Sequence, residues 1–130
     1  MRTIKQTALI RGANPHDVFE TLMDAKRHGA LEGGQPVKMS RRVGGAWSVG
    51  HDLEGKNLAI AKDRKIVQSW RANNWPAGVY SKATFALAKA RGGTRITFTQ
   101  TGVPSEFFGE TNAGWRDYYW TPLRKLFAPR

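Results

Sequence analysis

The feature that most constrains this chain is a change of period. Between Pro36 and Val103, apolar and polar residues alternate in short runs cut by glycine-rich turns; after Pro104, apolar residues recur at helical spacing. Period-two runs joined by tight turns build an antiparallel sheet, because parallel strands need long crossover connections. A single amphipathic helix at the end of such a chain finds no apolar partner except the face of that sheet. The expected class is therefore α+β, with a curved antiparallel sheet of about six or seven strands wrapped on a long C-terminal helix.

Local signals fill in the order of elements. Residues 3–11 alternate imperfectly, with Ile4, Ala8 and Ile10 on one face, and read as the first strand. Asn14-Pro15 then starts a helix: Asn caps free N–H groups, Pro suits the first helical position, and Asp17 lies where the helix dipole favours an acid. Val18, Phe19, Leu22 and Met23 form its apolar stripe, and residues 24–31 read as a second short helix ended by Glu32-Gly33-Gly34. Strands are expected at residues 37–43, 46–51, 55–61, 65–71, 79–90 and 94–103. The strongest hairpin signal is Gly92-Gly93 followed by β-branched Thr94, Ile96, Thr97 and Thr99.

In the terminal helix, Trp115, Tyr118, Tyr119, Pro122, Leu123 and Leu126 share one broad apolar face. Trp120 points about 140° away from Trp115 on a regular helix. Pro122 removes one backbone bond, so it is expected to kink the helix or begin a second helical piece.

Composition narrows the function classes. The chain has 130 residues, 40% of them hydrophobic and 11% aromatic, enough for the packed core of one domain spanning residues 1–130. The absence of cysteine removes disulfides, a thiolate nucleophile and cysteine-based metal sites. The formal charge is +11, with 12 basic and 7 acidic side chains in residues 1–65 against 9 and 3 in residues 66–130. So even a spread leaves no basic arm, and neither a basic recognition helix nor an aromatic single-strand platform is visible, which argues against nucleic acid. The charge instead reads as outer surface, open to an acidic headgroup or an acidic protein. No signal-peptide stretch and no apolar run near the ~20 residues of a membrane span occur, so a cytoplasmic location without membrane insertion is expected.

Several segments together resemble one family. They are Ile66-Val67-Gln68-Ser69-Trp70-Arg71, Trp75-Pro76-Ala77-Gly78, Gly93-Thr94-Arg95-Ile96, Gly102-Val103-Pro104, and Gly114-Trp115-Arg116-Asp117-Tyr118-Tyr119-Trp120 with Pro122-Leu123. In this order, with Asn14-Pro15 and Val43-Gly44-Gly45-Ala46-Trp47 before them, they resemble the Hsp90 ATPase activator homologue family. The resemblance implies the helix-grip (START/Bet v 1-like) fold, whose members commonly enclose a cavity for a hydrophobic ligand, and a link to chaperones and stress response. Eukaryotic activators place such a domain after a separate N-terminal one that engages the chaperone. A chain of this length is expected to hold only the cavity domain, so the activating role is not carried over with the fold.

Candidate residues follow from the helix-on-sheet arrangement. Trp70, Phe85, Ile96 and Phe98 on strands, with Trp115, Tyr118, Tyr119 and Leu123 on the helix, are expected to line an apolar pocket. Arg71 and Asp117 are the polar candidates, since an Arg turned into an apolar cavity needs an acid from the protein or a ligand. No catalytic set, cofactor site or metal site is expected: His16, His28 and His51 lack ligand spacing, and the glycine pairs lack phosphate-loop spacing. The expected function is binding of a small hydrophobic or amphipathic ligand. The alternatives are a module docking on an Hsp90-type chaperone or other acidic partner, and a cavity enzyme of cyclase or hydrolase type.

Overall fold

The computed structural model describes residues 1–129. Strand β1 (Arg2–Arg11) leads into helices α1 (Pro15–Met23) and α2 (Ala25–Leu31). Six strands follow: β2 (Val37–Met39), β3 (Ala46–Val49), β4 (Leu53–Ala61), β5 (Lys65–Ala72), β6 (Ser81–Ala90) and β7 (Gly93–Val103). A 3-10 turn (Ser105–Phe107), helix α3 (Phe108–Trp115), a wide π turn (Arg116–Trp120) and helix α4 (Thr121–Phe127) complete the chain. The strands form one antiparallel sheet in the order β1-β7-β6-β5-β4-β3-β2. Each strand from β2 onward pairs with its successor, and β1 closes against β7, which is the helix-grip fold.

The helix starts work as their residues dictate. Asn14 accepts the Asp17 N–H at 2.8 Å while Asp17 accepts the Asn14 N–H at 3.0 Å, a complete capping box. Asp24 caps α2 by accepting the Arg27 N–H at 2.9 Å. The run expected to be a strand over residues 37–43 is shorter than its alternation suggests, because β2 ends at Met39. Asn57, fully buried beside a register shift in β4, donates to the Ser40 and Arg42 carbonyls at 2.7 and 3.1 Å. Those carbonyls are thereby held in a loop, and Val43 is left exposed.

The terminal helix departs furthest from its expected face. Trp115, Tyr119, Trp120 and Leu123 are buried, whereas Tyr118 is 64% and Leu126 57% exposed. The cause is the π turn, closed by the Thr121 N–H on the Arg116 carbonyl. An i→i+5 turn takes one residue more than an α turn, so residues five apart come round to the same side. Trp120 then stacks with Trp115, their ring centroids 5.8 Å apart. Pro122 follows immediately and lacks the N–H that regular α geometry would send to the Tyr118 carbonyl.

Two side-chain bonds anchor these rings to the sheet. Trp115 Nε1 donates to Gln100 Oε1 at 2.7 Å, and Gln100 Nε2 donates to Ser81 Oγ at 2.8 Å. Trp120 Nε1 donates to Gln6 Oε1 at 2.7 Å, and Gln6 Nε2 donates to the Asn112 carbonyl at 2.8 Å. Farther along, the Phe127 carbonyl abuts Gly12, which has φ 83°; a Cβ there would collide with that carbonyl. Gln100→Leu, which keeps approximate volume but strands the buried Trp115 N–H, is expected to cost about 1–3 kcal/mol. The drop in the urea midpoint at unchanged m-value measures it.

Candidate functional site

The middle of the space between helix and sheet is filled. Phe98 lies 4.2 Å from Trp115 and 5.0 Å from its cross-strand partner Phe85, ring centroid to centroid. The void left between Trp47, Phe85, Trp115 and Tyr119 is about 10 Å³. Open space lies instead at one end of the helix, in a cleft of about 430 Å³. One wall is α3 with the start of the π turn (Glu110, Thr111, Ala113, Gly114, Trp115, Asp117, Tyr118 and Tyr119). The other is Leu53 of β4, Trp70 and Ala72 of β5, the loop residues Asn74 and Trp75, and Glu32 at the end of α2. That volume falls within the range of small-molecule sites.

The expected lining residues therefore divide. Trp70, Trp115, Tyr118, Tyr119 and Asp117 border the cleft, Tyr118 at its exposed rim rather than on the buried stripe. Phe85, Ile96, Phe98 and Leu123 do not: they are buried core where helix and sheet meet, because the two stacked indoles occupy the space a central cavity would need. Arg71 does not border the cleft either. Its guanidinium donates to the Trp75 and Pro76 carbonyls at 2.7 and 3.3 Å and lies over the Tyr80 ring. Its effect is to hold the loop that carries Trp75, whose ring meets Trp70 edge-on at 5.2 Å and stacks on Phe107. Asp117 pairs with its neighbour Arg116 at 3.3 Å, not with Arg71.

Three bordering groups escape periodicity arguments: Trp75, Glu32 and Glu110. Loop content signalled a turn at Trp75 but not which way its ring faces, and Glu32 reads as a helix end. His28, in α2, is buried. Its Nδ1 faces the Leu22 carbonyl at 2.9 Å, so Nδ1 carries the proton and Nε2 accepts the Tyr119 O–H at 2.9 Å. Burial pushes the His28 pKa down and the Tyr119 pKa up, so both are neutral at pH 7.

Glu32 is the least satisfied group in the cleft. Its Oε1 is buried without a hydrogen-bond partner, and desolvation raises the carboxyl pKa to about 7. Trp70, 6% exposed, likewise has its Nε1 unpartnered. Among the described residues the cleft wall bears three acids, Glu32, Glu110 and Asp117, and no Lys, Arg or His. On a chain of formal charge +11 this is the reverse of what an acidic headgroup would favour. No group of three or more His, Asp or Glu among the described residues is arranged to hold a metal ion.

Two outcomes are expected. Tyr119→Phe leaves His28 Nε2 without its donor and should cost about 1–3 kcal/mol in urea unfolding. Glu32 keeps its proton to about pH 7 when folded, while the unfolded chain releases it near the ordinary glutamate value of 4.5. Across that window the folded state binds more protons, so this group's effect is to lower stability as pH rises. Glu32→Gln removes the penalty. It should stabilise the fold by about 1–2 kcal/mol above about pH 7, allowing for partial exposure, and change nothing near pH 4.

Comparison with known proteins gives this geometry a lineage. Residues 12–128 match the model of the family described as "Activator of Hsp90 ATPase homolog 1-like protein". The chain is 36% identical over 117 residues to an activator of 90 kDa heat shock protein ATPase homolog from Dictyostelium discoideum, covering 88% of this chain and 30% of that protein. It is 26% identical over 129 residues to a human activator of 90 kDa heat shock protein ATPase homolog 1, covering 97% of this chain and 36% of the human one. It thus spans about a third of the length of these curated relatives. Among solved structures, an HSP90 activator from Plasmodium falciparum superposes with a TM-score of 0.88 at 20% identity, over 97% of this chain and 96% of that one. The Aha1 dimer from Colwellia psychrerythraea gives a TM-score of 0.80 at 14% identity, over 98% of each chain. With nearly its whole length matched and its helix gripped by its sheet in the same way, the chain belongs to the Activator of Hsp90 ATPase homolog 1-like family.

Proposed function

We propose that this chain binds a small amphipathic molecule in the cleft between α3 and the ends of β4 and β5. The observation that carries this reading is the cleft's composition: about 430 Å³ walled by Trp70, Trp75, Trp115 and Tyr119, with two buried polar atoms left unpartnered beside it. Native proteins satisfy nearly all such atoms, and an aromatic cleft with a few unspent polar groups is the usual form of a ligand site. Binding would bury apolar ligand surface against the indoles, at roughly 25 cal/mol per Å², while the polar atoms set orientation.

Tryptophan fluorescence reports directly on such binding, since three of the five tryptophans border the cleft. Gly114→Leu is the matching control. Gly114 borders the cleft, and a Cβ there makes only ordinary contact, 3.7 Å from Tyr118, so a side chain can start there without displacing backbone. Replacing a helical glycine also favours the helix by up to about 1 kcal/mol. The variant is expected to keep or raise its melting temperature and to lose the fluorescence response to a panel of lipids, sterols and flavonoids. If the wild type gives no response to any member, the reading is wrong.

Family membership supports a second reading, docking on an Hsp90-type chaperone. Its support is the named role of the Dictyostelium and human relatives, together with the positive surface, which would steer the chain to an acidic partner. Docking of this kind would weaken as salt rises and would be untouched by Gly114→Leu. Co-sedimentation with the chaperone at low and high salt separates the two readings.

A further inference from the structure

Resting on the reading of the cleft as a ligand site, we infer that its ligand is an organic ammonium ion: an amine on an apolar or aromatic body, its nitrogen at Glu32 and its body against Trp70 and Trp75. Three observations converge on this chemistry. The first is charge sign. Basic side chains outnumber acidic ones 21 to 10 in the chain, yet the cleft wall holds three acids and no base among the described residues. Glu110 accepts an Asn74 amide at 3.4 Å and Asp117 pairs with Arg116, so both have partners of their own. Glu32 has none on Oε1.

The second observation is the energetic cost of that oxygen. A buried carboxylate without a donor is destabilising, and the raised Glu32 pKa registers the cost of charging it. Nearby polar groups do not relieve it: the Tyr119 hydroxyl is committed to His28. An ammonium ion supplies both the charge and the donors the carboxylate lacks. The third observation is the aromatic wall. Trp70 stands 5.2 Å from Trp75 and 5.8 Å from Trp115, and indole faces attract cations through their quadrupole. Trp70 also carries a buried N–H without an acceptor, which an oxygen on the ligand body would satisfy.

The test uses three probes with one body and three head groups: phenylbutylamine, phenylbutanol and phenylbutyrate, titrated by tryptophan fluorescence at about pH 8, where Glu32 is mostly ionised and an alkylamine remains charged. The amine should bind about tenfold or more tighter than the alcohol, and the acid weakest. Glu32→Gln should bring the amine down to the alcohol's affinity and leave the alcohol unchanged, whereas Glu106→Gln, outside the cleft, should alter neither. Alcohol or acid binding as tightly as the amine overturns the ammonium inference while leaving the cleft as a ligand site. The same holds if the amine's preference survives Glu32→Gln. If none of the three binds, both readings fall together. Gly114→Leu completes the set, because binding that persists in that variant lies elsewhere and overturns both.

Discussion

The structure depends on one extra residue in one helical turn. Because the Arg116–Trp120 segment closes by an i→i+5 bond, Trp115 and Trp120 stack on the same side and both indole N–H groups reach the sheet. Each meets a glutamine, Gln100 on β7 and Gln6 on β1. A regular α-helix would swing Trp120 about 140° away and turn Tyr118 inward in its place. Gln6, on β1, would then lose the Trp120 N–H that its amide oxygen accepts, while Gln100, on the adjacent β7, would keep Trp115. The π turn and Gln6 are two halves of one solution, and Pro122, unable to donate the next α-type bond, sits where the wide turn has to end.

That packing also decides where space is left. Two stacked indoles over the Phe85–Phe98 pair leave only a void of about 10 Å³ under the helix, so the usable cleft is displaced to the end where α2, β4 and β5 approach α3. There the loop after β5 turns Trp75 inward, held by Arg71 through two backbone carbonyls. Arg71 thus shapes the cleft without bordering it. The His28–Tyr119 bond ties α2, capped at its end by Glu32, to the π turn across the interior.

The electrostatics run on two length scales. Positive charge covers the outer surface, where water and salt screen it beyond about 8 Å at physiological ionic strength. Inside the cleft, Glu110 and Asp117 stay exposed, whereas Glu32 is partly desolvated, so its charge is screened less. A positively charged protein can for this reason offer an inviting site to a cation, and the overall charge tells little about what the cleft selects.

Much of this was legible in the residues themselves. The period-two runs, the Gly92-Gly93 hairpin, the Asn14 cap and the single terminal helix determine an antiparallel sheet gripping that helix, because backbone geometry ties local spacing to the face a side chain takes. The family motifs carried the same fold. What tertiary structure alone decided is the phase of the terminal helix beyond Trp115, the burial of His28, the inward turn of Trp75 and the gathering of Glu32, Glu110 and Asp117 on one cleft. A π turn changes which side chains share a face without changing the order of residues, so no spacing rule based on 3.6 residues per turn could place Tyr118 or Trp120. The acids of the cleft come from the end of α2, from α3 and from the π turn, up to 85 residues apart in the chain, and only folding sets them on one cleft.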